Sequence, residues 1–282
     1  VAFRTQVLMT SPRARSRSPR IQAHEDRSLQ AGDIDKSVGS EERGSHTVTC
    51  CALFGGPASG KTTLGRLLQA QLPGFVHVSS GELARLVTPH EGSPFLSSIR
   101  RQLADRRRRK VAFSRLTDVL HKVVAEGLRA SPETVGIIVD GLRPAELPTF
   151  QRVVGCNLVA VVKLACPQNE MLLRLKQRDH REGDERLGLS EMDDISRVKA
   201  FEERDAAEID ALHEVFQDAF LSLDATGNAE AMVEQVLEFA RPLRQAQASK
   251  PPKATISIDW AAMIGAVATK LDQQFHPDGK PR

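Results

Sequence analysis

The residues best suited to chemistry lie first in the stretch FGGPASGKTT, residues 54–63. Gly55, Gly60, Lys61 and Thr62 stand in the spacing G-x-x-x-x-G-K-[ST], behind an apolar run and ahead of a helical pattern. Each part has a physical reason. Glycines let backbone N–H groups turn inward and approach phosphate oxygens. A helix starting near Lys61 adds the positive end of its dipole. Lys61 offers an ammonium to the β- and γ-phosphates, and the Thr62 hydroxyl can ligate Mg²⁺. Pro57, Ala58, Ser59 and Thr63 complete the expected wall around the triphosphate. The pattern implies a nucleoside triphosphate. Alone, it does not separate a kinase from a GTPase, a motor or a transporter ATPase.

A second mark is GIIVDG, residues 136–141, an apolar strand ending in a carboxylate. Asp140 is the candidate to hold the magnesium, directly or through water; an Asp that merely opens a turn before Gly141 is the plain alternative. The run DRRRRK, 105–110, contains no aromatic residue and reads as a solvated turn rather than a nucleic-acid site.

These residues need a scaffold, and the 282-residue chain supplies one. Apolar runs expected as strands at 47–54, 75–78, 135–140, 158–164 and 219–223 alternate with helical patterns at 61–71, 81–87, 94–104, 115–129, 145–153, 169–178, 191–217 and 229–239. That alternation predicts an α/β fold: a five-stranded parallel sheet with helices on both faces. A net charge of +3 is too small to argue for nucleic acid, and no apolar run is long enough to span a membrane. The four cysteines show no metal-type spacing and read as buried free thiols, which favours a cytoplasmic setting. Residues 1–24 are arginine- and serine-rich and reach no acid before Glu25, so an organelle transit peptide and a disordered tail both stay open. The expected organisation is an extension over 1–45, a catalytic domain over 46–241, and a linker plus C-terminal helix over 242–282. In that last helix Trp260, Ile264, Val267 and Leu271 form one apolar stripe.

FGGPASGKTT together with HVSSGELARLV (77–87) resembles the nucleoside monophosphate kinases, adenylate kinase above all, with the P-loop NTPase fold. The resemblance covers about 46–241. It implies a small helical acceptor-binding insert at about 80–112 and a short lid at about 179–190. Ser80, Gly81 and Arg85 would hold the acceptor monophosphate, with Val111 touching its base through the backbone. In RLKQR, Arg174 and Arg178 would flank ATP; Arg186 and Arg197, eleven positions apart, would cross to both phosphates. Gly227 would sit in the turn over adenine. Lys61, Arg178, Arg186 and Arg197 are the implied catalytic set, and a monomer is the implied state. Arg174 and Arg178 could instead be a solvated helix face, Arg186 a loop surface charge, and Arg197 the partner of an acid such as Asp193 or Asp194 on its own helix. Several phosphates brought together explain so many cations, since a like-charge pair at roughly 4 Å and a dielectric of about 20 costs on the order of 4 kcal/mol. Guanidinium groups offset that and fix orientation.

Some positions depart from the family pattern. DGLRPAEL stands where D-G-F-P-R is usual, so the phosphate-binding role of Arg143 is shifted by its place before Pro144. Pro148 occupies the place of the adenine-reading glutamine, and Ala58 that of a loop glycine. The lid, DHREGDERLGLS, has no zinc-type cysteines. DGLRPAEL with FEERDAAE (201–208) also resembles a less characterised branch of kinase-like P-loop proteins. The first expectation is transfer of the ATP γ-phosphoryl group to AMP. UMP or CMP as acceptor, a weakened nucleotide-binding module, and a kinase for another small metabolite are the alternatives.

Overall fold

The computed structural model describes residues 47–87, 92–105, 107–177, 193–249 and 256–275. Five parallel strands form one sheet in the order β2-β3-β1-β4-β5. They are β1 (Val48–Gly55), β2 (Phe75–Ser79), β3 (Gly136–Asp140), β4 (Cys156–Ala165) and β5 (Phe220–Asp224). All five expected strands are present within a residue or two.

Strands buried on both faces need apolar residues at every position, and β1 shows the consequence. Cys50, Ala52 and Phe54 point to one side; Cys51 and Leu53 point to the other. The second side is covered by α1 (Lys61–Gln71) through Leu64 and Leu68. The first is covered by α2 (Ser80–Val87), α3 (Pro94–Ala104), α4 (Arg109–Ala130) and α5 (Leu147–Val154). After β4, α6 (Gln168–Lys176) and α7 (Asp194–Phe201) pack together, and Met171, Leu175 and Val198 form a small core there. A π-helical turn (Glu202–Ala206) leads into α8 (Ala207–Phe216). After β5, α9 (Ala229–Phe239) joins the α1 side.

Three sequence expectations need correction. The helix expected over 191–217 is interrupted by the π turn. The helix expected from 115 begins at Arg109, so part of the basic run is helical. The segment 241–254, expected as linker, contains α10 (Arg241–Ser249), anchored by the fully buried Leu243; Pro242 falls in its first turn, where a missing N–H costs nothing. Finally, α11 (Trp260–Gln274) buries Ile264, Val267, Ala268 and Leu271 against α2, α3 and α4. The expected lid, 179–190, and the extension 1–45 lie outside the described residues. All four cysteines are free, and burial pushes the Cys51 thiol up to about 12. Among the described residues no helix is long and apolar enough to cross a membrane.

Candidate phosphate-transfer site

Strand register assembles the site. Leu53 of β1 and Ser79 of β2 both lie beside Asp140, the last residue of β3. The carboxyl ends of three strands therefore open at one place, where strand order reverses and ligands bind in such sheets.

The loop after β1 is shaped by its backbone. Gly60 has φ +93 and caps α1, while a Cβ on Gly55 (φ +147) would meet the Leu164 carbonyl at 2.7 Å. Ala58 also sits at positive φ, +55, a conformation that costs an alanine energy a glycine would not lose. Lys61 folds back over the loop: Nζ donates to Gly55 O at 2.9 Å, Gly56 O at 2.6 Å and Ser59 Oγ at 3.3 Å. Its ammonium is thereby held at the centre of the loop.

A cavity of about 370 Å³ opens here. Pro57, Ala58, Ser59, Gly60, Lys61, Thr62 and Thr63 line it, with Gly81, Arg85, Asp140, Arg174 and Arg197 arriving from other elements. Arg85 Nη1 donates to Gly81 O at 2.8 Å, one turn back on α2. Arg174 is braced from two sides, by Glu170 Oε1 at 2.7 Å and by Ala225 O at 2.8 Å. Arg197 lies 3.9 Å from Asp194 on its own helix.

Asp140 is held tightly. His77 Nε2 is 2.8 Å from Oδ2, Ser79 Oγ donates to Oδ1 at 2.9 Å, and both the His77 and Asp140 side chains are 4% exposed. Burial alone would raise this carboxyl. The His77 hydrogen bond and charge, the Lys61 ammonium and the Ser79 hydroxyl outweigh that and hold it below its ordinary 3.8.

A second cavity, of about 360 Å³, adjoins the first and shares Pro57, Lys61, Gly141 and Arg197 with it. Its walls are more apolar: Phe54, Phe113, Leu142, Pro144, Ala200, Phe201 and Ile209. Gly55, Arg143, Arg204 and Asp205 also line it. The Arg143 turn is stapled by Glu146, whose carboxylate accepts from Arg143 N at 3.0 Å and from Thr117 Oγ1 of α4 at 3.1 Å. Arg204 donates to both carboxylate oxygens of Asp205, at 2.6 and 2.7 Å. Consecutive residues of an α-helix do not face one another; here, in the π turn, both line one wall.

Most of the expected residues converge on these two cavities. Ser80, Val111 and Gly227 line neither. Ser80 backs onto Gly141, while its neighbour Ser79 faces Asp140. Val111 lies in the first turn of α4 and is 56% exposed; Phe113, roughly 200° further round that helix, is the residue at the cavity. Gly227 lies in the turn after β5, its N–H donating to Asp224 O at 3.4 Å. Arg178 and Arg186 lie outside the described residues. His77, Ser79, Phe113, Arg204 and Asp205 join the site without a role implied by the sequence. A signal for the last two was present, because DGLRPAEL and FEERDAAE, paired in the sequence resemblance, meet across the second cavity.

The chain is 26% identical over 212 residues to a UMP-CMP kinase of Prunus armeniaca, covering 74% of this chain and 84% of that protein. It is 26% identical over 196 residues to UMP-CMP kinase 2 of Oryza sativa subsp. japonica, covering 68% and 74%. The unliganded crystal structure of a sugar kinase from Janibacter sp. HTCC2649 is matched at 14% identity and a TM-score of 0.40, over 74% of this chain and 99% of that one. A family profile described as "AAA domain" matches residues 52–209. With its five parallel strands and a phosphate loop running from β1 into α1, the chain has the P-loop NTPase α/β fold, and it belongs to the AAA domain family.

Proposed function

We propose that the chain is an ATP-dependent kinase that moves a phosphoryl group to a pyrimidine nucleoside monophosphate, UMP or CMP. The observation that carries this is the pair of adjoining cavities with Lys61 and Arg197 at their junction. A triphosphate laid in the loop would meet there a monophosphate whose phosphate lies between Arg85 of the first cavity and Arg143 of the second, with its base in the more apolar cavity. The relatives, both UMP-CMP kinases by name, favour the pyrimidine acceptors over AMP, which the sequence resemblance put first.

In this reading an acceptor phosphate oxygen attacks the γ-phosphorus, the bond to the β,γ-bridging oxygen breaks, and ADP leaves with the electron pair. The acceptor oxygen is already ionised, so no base is required. The protein supplies position and charge. Loop amides and Lys61 hold the donor, Arg85 and Arg143 the acceptor, and Arg197 touches both. Phe113 and Phe201 offer apolar walls to the acceptor's base. Arg204 and Asp205 sit seven and eight residues beyond Arg197, roughly 10 Å along the helix, about the distance from a nucleotide's phosphate to its base. Thr62 and Asp140 are oxygen donors beside the triphosphate wall, a set that suits Mg²⁺. Thr62 would bind it by its hydroxyl. Asp140, whose oxygens already accept one bond each and retain lone pairs, would hold it through water. When bound, Mg²⁺ neutralises charge on the β- and γ-phosphates.

A coupled assay with ATP-Mg²⁺ and UMP, CMP, AMP, GMP or no acceptor tests this. Transfer to UMP or CMP at least about tenfold better than to AMP is expected, a difference of about 1.4 kcal/mol in transition-state binding. Preferred use of AMP or GMP, or nucleotide binding without transfer to any acceptor, would sink it.

A further inference from the structure

We infer that Asp272, on the C-terminal helix, is a positioning residue for the Arg85 side of the acceptor site, acting through the start of α3. Its substrate rests on the kinase reading above; its mechanism rests on geometry that the reading does not use. The family profile stops at residue 209, so α11 lies outside the matched region.

The Asp272 carboxylate reaches the N-terminus of α3. Oδ1 accepts from Ser93 Oγ at 3.0 Å and from Phe95 N at 2.9 Å. Ser93 is the N-cap of α3, and its own hydroxyl accepts from Leu96 N at 3.2 Å. Distant carboxylate and local hydroxyl thus satisfy two of the helix's unpaired N–H groups, and the carboxylate's charge complements the positive end of the helix dipole. The Phe275 ring packs on Phe95 with centroids 5.6 Å apart. The other end of α11 is fastened to α4: a Cβ added to Gly127 would lie only 2.7 Å from the Trp260 ring.

The braced elements are those that build the acceptor side. From α2 come Gly81 and Arg85, at the edge of the first cavity where the acceptor phosphate would lie, and from α4 comes Phe113, in the second. Phe95 and Leu96 at the start of α3 belong to one core with Leu83, Ala84 and Val87 of α2, so holding the start of α3 limits where the Arg85 end of α2 can go. Buried residues of α11, Ile264 and Leu271 among them, also share a core with Leu83, Ala84 and Val87 of α2. The phosphate loop leads instead into α1, on the opposite face of the sheet. Loosening α11 should therefore disturb acceptor use and spare ATP.

Steady-state kinetics and hydrogen–deuterium exchange on the full chain test this. Asp272→Ala should raise the acceptor KM about tenfold and leave the ATP KM within about twofold. Asp272→Asn, which keeps an oxygen acceptor in place, should restore most of the loss. Lys270→Ala, which removes the neighbouring ion pair with Glu126, should change neither constant. In the unliganded protein, Asp272→Ala should speed exchange of amides in 81–87 and 94–100 but not in 61–71. Should that variant fail to fold, Ser93→Ala removes one of the two donors to Asp272 together with the α3 cap and should give the same pattern. Equal changes for both substrates, or unaltered exchange over 81–87, overturn the inference. If the unsubstituted protein transfers to no monophosphate, the kinase reading falls and the exchange pattern alone decides this one.

Discussion

The two halves of the site are built in opposite ways. The phosphate-loop half is nearly continuous, residues 55–63, and works through backbone amides and one lysine that also binds the loop it belongs to. The proposed acceptor half is assembled from α2, α4, the 141–144 turn, α7 and the π turn, and would work through side chains. A local half depends on a few dihedral angles and one ammonium. An assembled half depends on how five segments pack, and many contacts share the burden. Substitutions in the first should therefore act nearly all-or-none, and those in the second by degrees.

The sharpest break of this contrast is Lys61→Met. Turnover should fall by at least about 10²–10³-fold with the circular-dichroism spectrum and melting cooperativity retained; appreciable residual transfer would mean that the loop is not the donor site. Arginine substitutions should divide along the same line. Arg85→Ala should weaken the acceptor by about tenfold to a hundredfold and hardly change ATP, whereas Arg197→Ala, at the junction, should impair both. Measured KM and kcat for the two substrates check this, and identical patterns for the two variants would erase the distinction between the halves.

The smallest effect concerns stability, and it lies beneath the acceptor half. His121 of α4 is 2% exposed, both its ring nitrogens lack a hydrogen-bond partner among the described residues, and its ring meets Phe150 edge-on at 5.2 Å. Burial pushes its pKa below the ordinary 6.5, against the opposing pull of Glu146 and Asp118. The folded state therefore holds it neutral, and the unfolded chain takes up the proton first as pH falls. Its contribution is intact above about 6.5 and is lost progressively below it. His121→Leu should stabilise the fold by about 1 kcal/mol at neutral pH, by removing unpaired buried nitrogens, and should flatten the decline between about pH 6.5 and 5. Melting temperatures across that range test it; parallel curves for the two proteins would contradict it.

Much of the local half is legible in the sequence. The spacing of Gly55, Gly60, Lys61 and Thr62 is short-range, and a motif held by backbone geometry survives in one dimension. The α1 boundaries were read without error, Lys61–Gln71, because their apolar period is strong and a glycine precedes them. In the assembled half, Arg85 and Arg197 were named and they reach the cavity, but Val111 was named where Phe113 lines the wall. Val111 rested on the family resemblance alone; separately, the start of α4 was expected six residues late, because DRRRRK looks like a turn in composition, whereas Arg109 and Lys110 form the helix's first turn. The π turn left no periodic signature, since a single extra residue per turn is too small a change for an apolar pattern to reveal.

The sequence by itself determined the parallel α/β sheet, the donor loop and the cationic character of the site, because each follows from periodicity or from residues a few positions apart. Only the tertiary structure decided that Arg204 and Asp205 share a wall with Arg143, that His77 and Ser79 clamp Asp140, and that Asp272 closes a helix 179 residues before it. Those contacts depend on strand register, helix phase and the docking of a C-terminal element. Each is set by the packing of the whole core, which no short window of sequence contains.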